Sequence, residues 1–251
     1  MQITDTLLLI LAGFAAGLVN AIAGGGTFFS FPALLWAGVP PVSANATNSV
    51  ALWPASLAGA WAYRQELRKY RRMLVPLAAL SLVGGAVGGL LLISIQDAVF
   101  SRLIPWLLLF ATLLFATSRH LASWAAARRR PDGTSTLARA GYLLVAVYGG
   151  FFGAGMGILL LAALAIAGHE DIHELNAIKN LLTAVIYSVS VATFVAAGAV
   201  SWLAMAATLV GATLGGFYGA QLSRLVSAPA LRRIVIGIGL CLSTIYFIKA
   251  Y

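Results

Sequence analysis

The chain has 251 residues, of which 61% are hydrophobic and only 9% are charged. Its mean hydropathy is +0.94. A soluble domain has about 45–50% apolar residues and about 25% charged residues. The composition therefore excludes an ordinary soluble protein and indicates a polytopic membrane protein.

The net charge of +9 would favour a nucleic-acid partner in a soluble protein. Here most of the positive charge falls between apolar segments, where it sets the orientation of a membrane protein, so no nucleic-acid partner is expected. Cys241 is the only cysteine, which excludes an intrachain disulfide and a cysteine metal cluster.

Apolar segments long enough to cross a bilayer follow one another along the chain. A hydrocarbon core about 30 Å thick needs about 20 apolar residues in each crossing helix. Clear spans run near 43–63, 73–93, 102–123, 172–197, 201–222 and 231–250.

Two further apolar regions, 5–38 and 139–168, are too long for one crossing and are interrupted by glycines. The interruptions are "AGGGT" at 23–27 and "GAGMG" at 153–157. The piece after each interruption is roughly 17–18 Å long as a helix, about half a membrane. The sequence therefore predicts two broken helices.

The chain also repeats itself at an offset of 131 residues. The offset joins Gly24 to Gly155, Gly26 to Gly157, Asn45 to Asn176, Gly84 to Gly215, Gly85 to Gly216, Gly88 to Gly219 and Arg102 to Arg233. One constant offset is hard to obtain by chance. It predicts an N-terminal repeat (1–124) and a C-terminal repeat (137–251), joined by a basic cytoplasmic linker (125–136).

Positive charge predicts which loops face the cytoplasm. Those loops contain "RQELRKYRR" (64–72), "RRR" (128–130), Arg224, Arg232 and Arg233. If each broken segment crossed once, the repeats would be parallel, and basic loop 64–72 would lie on the same side as its uncharged counterpart, 195–203. If each segment instead dips in and returns, the repeats are inverted and the charge difference is explained. We therefore expect inverted repeats with both termini outside.

The predicted fold class is thus an all-α polytopic membrane protein. It has two inverted repeats, about eight full transmembrane helices and two broken or re-entrant hairpins near 24–26 and 155–157. In such proteins substrate binds at the midplane, between discontinuous helices.

The glycines at the two interruptions are candidate binding residues. At Gly24, Gly25 and Gly26 the missing side chains would let backbone approach a ligand closely. Thr27 then starts a half-helix whose exposed N–H groups and positive dipole end suit an anion. Gly155 and Gly157 would do the same in the second half. The alternative is that these glycines only allow tight helix packing, which we expect for "VGGAVGG" (83–89) and "LGGFYGA" (214–220).

The helices that follow the interruptions carry polar side chains. Asn45 and Asn48 are three residues apart and share one helical face, and Asn176, Lys179 and Asn180 share another. A charge within a span costs roughly 2.5–3.5 kcal/mol on insertion scales and marks a functional site by default. Lys179 is therefore predicted to balance a bound anion. The alternative is a lysine that extends to the cytoplasmic headgroups.

The segment "HEDIH" (169–173) matches the zinc-protease motif H-E-x-x-H. His169 and His173 could each hold zinc, but a third protein ligand is needed and none follows nearby. The alternative is an ordinary helix start, where acidic residues favour the dipole. Acidic residues fall in or near loops, so any coupled proton must be carried by Lys179, a cytoplasmic histidine or the substrate.

Two stretches resemble a known family. "GLVNAIAGGGTFFSFPALLWAGVPPVSANATNSVA" (17–51) resembles the N-terminal signature of the sulfite exporter TauE/SafE family, also called the 4-toluene sulfonate uptake permease family. The matching features are Gly24–Gly26, Pro32 with Leu34, Gly38 and Ala44–Ser49. "GGFFGAGMGILLLAALAIAG" (149–168) with "LNAIKN" resembles the second signature, in which Met156 interrupts a glycine cluster that is usually fuller.

The resemblance implies a transporter of sulfur-containing or organic anions, such as sulfite, sulfoacetate, sulfolactate or other sulfonates, in a bacterial inner membrane. The expected mechanism is secondary transport by alternating access, without a cofactor and with protons as one candidate coupling ion. A passive anion channel could use the same site, and a membrane metalloenzyme using His169 and His173 is a third reading. Monomer and homodimer both stay open.

Overall fold

A computed structural model describes residues 2–22, 25–127, 136–166, 172–222 and 228–251. Within these ranges the secondary structure is helical throughout, with no strand. The helices are α1 (Ile3–Ile22), α2 (Thr27–Trp36), α3 (Pro41–Ala62), α4 (Arg64–Leu67), α5 (Arg71–Ser94), α6 (Asp97–Ala127), α7 (Thr136–Phe151), α8 (Met156–Ile166), α9 (Ile172–Ala196), α10 (Trp202–Leu222) and α11 (Ala228–Ala250). A 3₁₀ turn (Arg68–Tyr70) joins α4 to α5.

Both predicted helix interruptions are confirmed. α1 ends at Ile22 and α2 begins at Thr27, while α7 ends at Phe151 and α8 begins at Met156. The helices after the breaks have only 10 and 11 residues. At 1.5 Å per residue each is about 15–17 Å long, roughly half of a hydrocarbon core.

Five of the described helices are long and apolar enough to cross a membrane. The spanning stretches are Ile3–Asn20, Met73–Ser94, Asp97–Ser118, Glu174–Ala196 and Arg232–Ala250. The prediction of an all-helical, multi-pass membrane protein is confirmed. The total number of crossings and the inverted arrangement of the repeats stay predictions.

Three pairs of described helices begin 131 residues apart. α3 begins at Pro41 and α9 at Ile172, α5 at Arg71 and α10 at Trp202, and α6 at Asp97 and α11 at Ala228. The helices after the two breaks, α2 at Thr27 and α8 at Met156, depart from this offset by two residues. The division of the chain into two repeats stays a prediction.

One compact unit comprises Met1–Leu52, Ile93–Ala116 and Phe194–Tyr251. Within it α1 packs closely on α10. A Cβ at Gly17 would overlap the Ala212 carbonyl, and a Cβ at Gly215 would overlap the Phe14 carbonyl. Glycines on both helices therefore let the two backbones touch, as small residues commonly do between membrane helices.

The second compact unit comprises Trp53–Leu92 and Thr117–Thr193. Here α5 packs on α7, where a Cβ at Gly84 would overlap Ala146 and a Cβ at Gly88 would overlap the Val147 carbonyl. The packing role predicted for "VGGAVGG" and "LGGFYGA" thus holds at Gly84, Gly88 and Gly215. Each compact unit combines helices from both halves of the chain. The compact units therefore differ from the predicted sequence repeats, 1–124 and 137–251, and the division into repeats stays a prediction.

Candidate functional site

The second helix break is shaped by two glycines with left-handed backbone. Gly153 has φ +78° and Gly155 has φ +76°, values that favour glycine over residues with a Cβ. The Tyr148 hydroxyl donates to the Ala154 carbonyl at 2.6 Å and so holds the turn. A Cβ at Gly153 would lie 2.6 Å from the Tyr187 hydroxyl. The break is therefore a turn between α7 and α8 that specific contacts and glycine conformations define.

The first turn of α8 has one free donor. The Met156 and Ile158 N–H groups donate to the Gly153 and Gly155 carbonyls at 3.1 and 3.0 Å. In the part of the chain that the structure describes, the Gly157 N–H donates to no backbone carbonyl. The start of a helix combines such donors with the positive end of the helix dipole.

Lys179 lies beside this helix start. A Cβ placed on Gly157 would be 3.6 Å from Lys179 Cδ, so the lysine stem runs along the glycine. The Lys179 Nζ donates to Asn176 Oδ1 at 3.1 Å. Gly157 is therefore brought together with Lys179 and its partner Asn176, although the glycine and the polar helical face were inferred from separate sequence features.

The positive charge of Lys179 is not balanced by a carboxylate in the described segments. Its ammonium is bonded to an amide oxygen, which is neutral, and no carboxylate among the described residues pairs with it. The lysine is half-buried within the spanning stretch Glu174–Ala196. An ammonium in apolar surroundings with one neutral acceptor favours a bound anion.

Asn180 is the remaining predicted site residue of the second half. Its Nδ2 lies 3.4 Å from where a Cβ of Gly59 would stand, so the side chain lies against α3. It is half-buried. The structure therefore places Asn180 at a helix contact one residue beyond Lys179.

At two described glycines of the first break, in the other unit, neighbouring protein atoms occupy the space where a Cβ would stand. Gly25 has φ +96°, and a Cβ there would be 2.7 Å from the Phe115 ring. A Cβ at Gly26 would be 2.5 Å from the Ala16 carbonyl. The missing side chains therefore make room for neighbouring protein atoms, as the packing alternative expects, and the predicted approach of a ligand to these two glycines stays a prediction. Gly24 lies outside the described residues.

A buried polar cluster joins α2 to α3. The Ser30 hydroxyl donates to Asn48 Oδ1, and Asn48 Nδ2 donates to Thr27 Oγ1 at 3.5 Å. All three residues are buried, as is Asn45 on the same helix. Thr27 and Asn48 were predicted, but Ser30 was missed. The sequence feature that could have indicated Ser30 is a hydroxyl three residues after Thr27 in the same short half-helix.

A second missed residue is Arg232, expected only as a cytoplasmic charge. Its Nε donates to the Phe115 carbonyl at 2.8 Å, and Nη2 donates to the Ala116 carbonyl at 3.1 Å. The guanidinium therefore anchors α11 to α6 next to the ring that covers Gly25. Sequence patterns alone cannot distinguish such an anchor from a loop charge.

The family model described as "Sulfite exporter TauE/SafE" matches residues 9–246, nearly the whole chain. The chain belongs to the sulfite exporter TauE/SafE family. Members of this family are membrane transporters, which agrees with the spanning helices.

Relatives of this TauE/SafE member include three bacterial proteins. It is 29% identical to "Probable membrane transporter protein" of Haemophilus influenzae, over 94% of this chain and 92% of that protein. It is 28% identical to "Probable membrane transporter protein ORF9" of a Sinorhizobium species and 29% identical to "Probable membrane transporter protein YfcA" of Escherichia coli K12. Each of these two matches covers 85% of this chain and 79% of the relative. No solved structure matches the chain.

The methionine that interrupts the second glycine cluster of this TauE/SafE chain is accommodated by another glycine. Met156 is 1% exposed, and a Cβ on Gly149 would overlap its sulfur. The missing side chain at Gly149 therefore leaves the space that Met156 occupies. The helix break is therefore present although Met156 departs from the family pattern.

The metalloenzyme reading of "HEDIH" finds no support in the described residues. Residues 169–171 lie outside them, and His173 lies in the first turn of α9. The described part of the chain contains no group of three or more His, Cys, Asp or Glu residues placed to hold a metal ion. Membership in a transporter family favours a non-enzymatic role.

Proposed function

We propose that this TauE/SafE family member is a secondary transporter of a small sulfur-containing or organic anion, such as sulfite, sulfoacetate or another sulfonate. The observation that carries the proposal is the Lys179 ammonium, half-buried in an apolar span and bonded to a neutral amide. A charge at that depth costs about 2.5–3.5 kcal/mol on insertion scales. A bound anion would offset that cost.

The second break supplies the other groups that an anion needs. The Gly157 N–H lies in the first turn of α8 without a backbone acceptor among the described residues, and the lysine stem lies beside Gly157. Backbone donors at a helix start bind anions well because the helix dipole adds to the hydrogen bonds. In this proposal Asn176 positions the ammonium, Gly155 shapes the turn, and Asn180 lies at the edge of the site.

The first half contributes a related site in this proposal, formed by Gly24, Gly25, Gly26, Thr27, Asn45 and Asn48. Asn48 accepts from Ser30 through Oδ1 and donates one of its two Nδ2 hydrogens to Thr27, so one amide N–H is left for an anion. A neutral amide donor contributes less than a hydrogen bond from a charged group. We therefore assign most of the anion affinity to the second half, which contains Lys179.

Transport requires the site to open to each side of the membrane in turn. We propose alternating access in a bacterial inner membrane, with the basic loops cytoplasmic and both termini outside. The seven acidic residues fall in or near loops, so a carboxylate relay is not part of this mechanism. Lys179 or the anion itself would carry any coupled proton.

Reconstituted protein tests this function. Proteoliposomes loaded with buffer should take up radiolabelled sulfite or a small sulfonate at a rate that saturates with concentration and depends on an imposed ion gradient. Large ohmic currents in a planar bilayer, without saturation, would instead favour a passive anion channel. Empty liposomes and Lys179→Gln protein serve as controls.

A further inference from the structure

An apolar groove of about 760 Å³, which Lys179 does not line, lies on the second compact unit. Its lining residues are Leu57, Ala58, Ala60, Trp61, Arg64, Leu67, Arg68, Leu74, Val75, Ala78 and Leu181. The groove is therefore formed by the end of α3, by α4, by the start of α5 and by one residue of α9. Its volume lies within the range of about 300–1,000 Å³ that is typical of small-molecule sites.

The groove is lined by two chemically different kinds of side chain. Aliphatic side chains line most of it, and several are open to the surroundings: Leu57 is 41% exposed and Val75 is 62% exposed. Arg64 and Arg68 also line it, one turn apart in the chain, and both are exposed. No acidic residue is among the described lining residues. The groove thus fits a molecule with an apolar body and an anionic head.

The Arg64 side chain is already held in place. Its guanidinium lies 4.8 Å from the centre of the Trp61 ring, and Nη1 donates to the Trp61 carbonyl at 3.0 Å. This bond uses one of five guanidinium N–H donors. Trp61 is 69% exposed, as expected for a tryptophan at a membrane interface. An arginine fixed in this way loses little side-chain entropy when it binds a phosphate.

We infer that the groove binds an anionic phospholipid, with an acyl chain along Leu57, Leu74 and Val75 and the phosphate at Arg64 and Arg68. The surrounding charge supports this choice, because residues 64–72 contain five basic residues and one acid. Basic pockets on the cytoplasmic side of membrane helices bind the headgroups of anionic lipids. The lipid would hold the loop between α3 and α5 at the cytoplasmic interface.

Native mass spectrometry of the full chain tests this inference. Protein in a neutral detergent is mixed with equal amounts of palmitoyl-oleoyl phosphatidylglycerol and palmitoyl-oleoyl phosphatidylcholine. The wild type should retain one phosphatidylglycerol in preference to phosphatidylcholine. The double variant Arg64→Gln/Arg68→Gln should bind phosphatidylglycerol about 30-fold more weakly, since each basic residue contributes roughly 1 kcal/mol near an anionic surface.

Two further variants separate the groove from general charge effects. Ala78→Phe fills the apolar part and should remove the retained lipid while both arginines remain. Arg139→Gln removes an exposed arginine of the same unit that does not line the groove, and it should retain phosphatidylglycerol like the wild type. Size-exclusion profiles check that each variant is folded. Equal retention of the two lipids by the wild type, or unchanged retention by the double variant, would overturn the inference.

Discussion

Lys179 Nζ lies 3.1 Å from Asn176 Oδ1, one turn earlier on the same face of α9. The amide fixes the position of the ammonium but does not balance its charge. The stem of the same lysine lies along Gly157, where α8 starts. The pair therefore presents a held positive charge beside backbone donors, and this arrangement is the basis for the proposed anion transport.

The turn at the second break should tolerate no side chain at Gly153. Gly153→Ala places a Cβ at φ +78° and 2.6 Å from the Tyr187 hydroxyl. A non-glycine residue in this region costs about 1–3 kcal/mol, so the melting temperature should fall by several degrees. Thermal unfolding of the purified protein in detergent measures the change.

Gly141→Ala is the matched control for that substitution, because a Cβ there meets nothing within 4 Å in α7. Its melting temperature should equal that of the wild type or exceed it slightly, since alanine favours helix over glycine. Equal melting temperatures for the two variants would contradict the role given to the backbone at Gly153.

The contact between α1 and α10 should depend on Gly215 but not on its neighbour. Gly215→Ala drives a Cβ into the Phe14 carbonyl, whereas Gly216→Ala meets nothing within 4 Å. Overpacking of this kind costs about 1–3 kcal/mol. Only Gly215→Ala should lower the thermal stability. A loss of stability of the same size in Gly216→Ala would contradict the role given to the backbone contact, because helix propensity by itself favours alanine over glycine.

The hydroxyl of Ser30 should matter for stability although no sequence motif marks it. Ser30→Ala leaves the buried Asn48 Oδ1 without this donor. Hydrogen bonds between membrane helices contribute about 0.6 kcal/mol on average and up to about 1.7 kcal/mol, so a loss of about 1 kcal/mol is expected. The thermal unfolding of Ser30→Ala is compared with that of a control, Ser123→Ala, which removes an exposed hydroxyl. If both variants unfold alike, the cluster does not join α2 to α3.

The broken helices could be predicted from sequence because a length argument was enough. The segment Thr27–Trp36 is too short to cross a bilayer, and the glycines before it explain why it begins there. The 131-residue offset likewise agrees with the starts of three pairs of described helices. Both signals are local or periodic, and a single sequence carries them.

The reason for each glycine could not be predicted, because it depends on residues far away in the chain. Gly25 makes room for Phe115, and Gly149 makes room for Met156. At Gly25 the ring of Phe115 lies where a Cβ would stand, and no sequence pattern indicated that contact. The bond from Ser30 to Asn48 was missed for a similar reason, since it joins two helices whose relative rotation no local pattern specifies.

The central claim is that the Lys179 ammonium binds the transported anion. Isothermal titration calorimetry of the purified protein with sulfite and with a small sulfonate tests it directly. The proteins compared are the wild type, Lys179→Gln and Lys249→Gln. The last of these is the control, because it removes an exposed lysine in the last turn of α11. Hydrogen bonds to charged groups contribute about 1.5–3 kcal/mol, so Lys179→Gln should bind about 10- to 150-fold more weakly. Lys249→Gln should bind like the wild type. Wild-type affinity in a folded Lys179→Gln protein would contradict the claim.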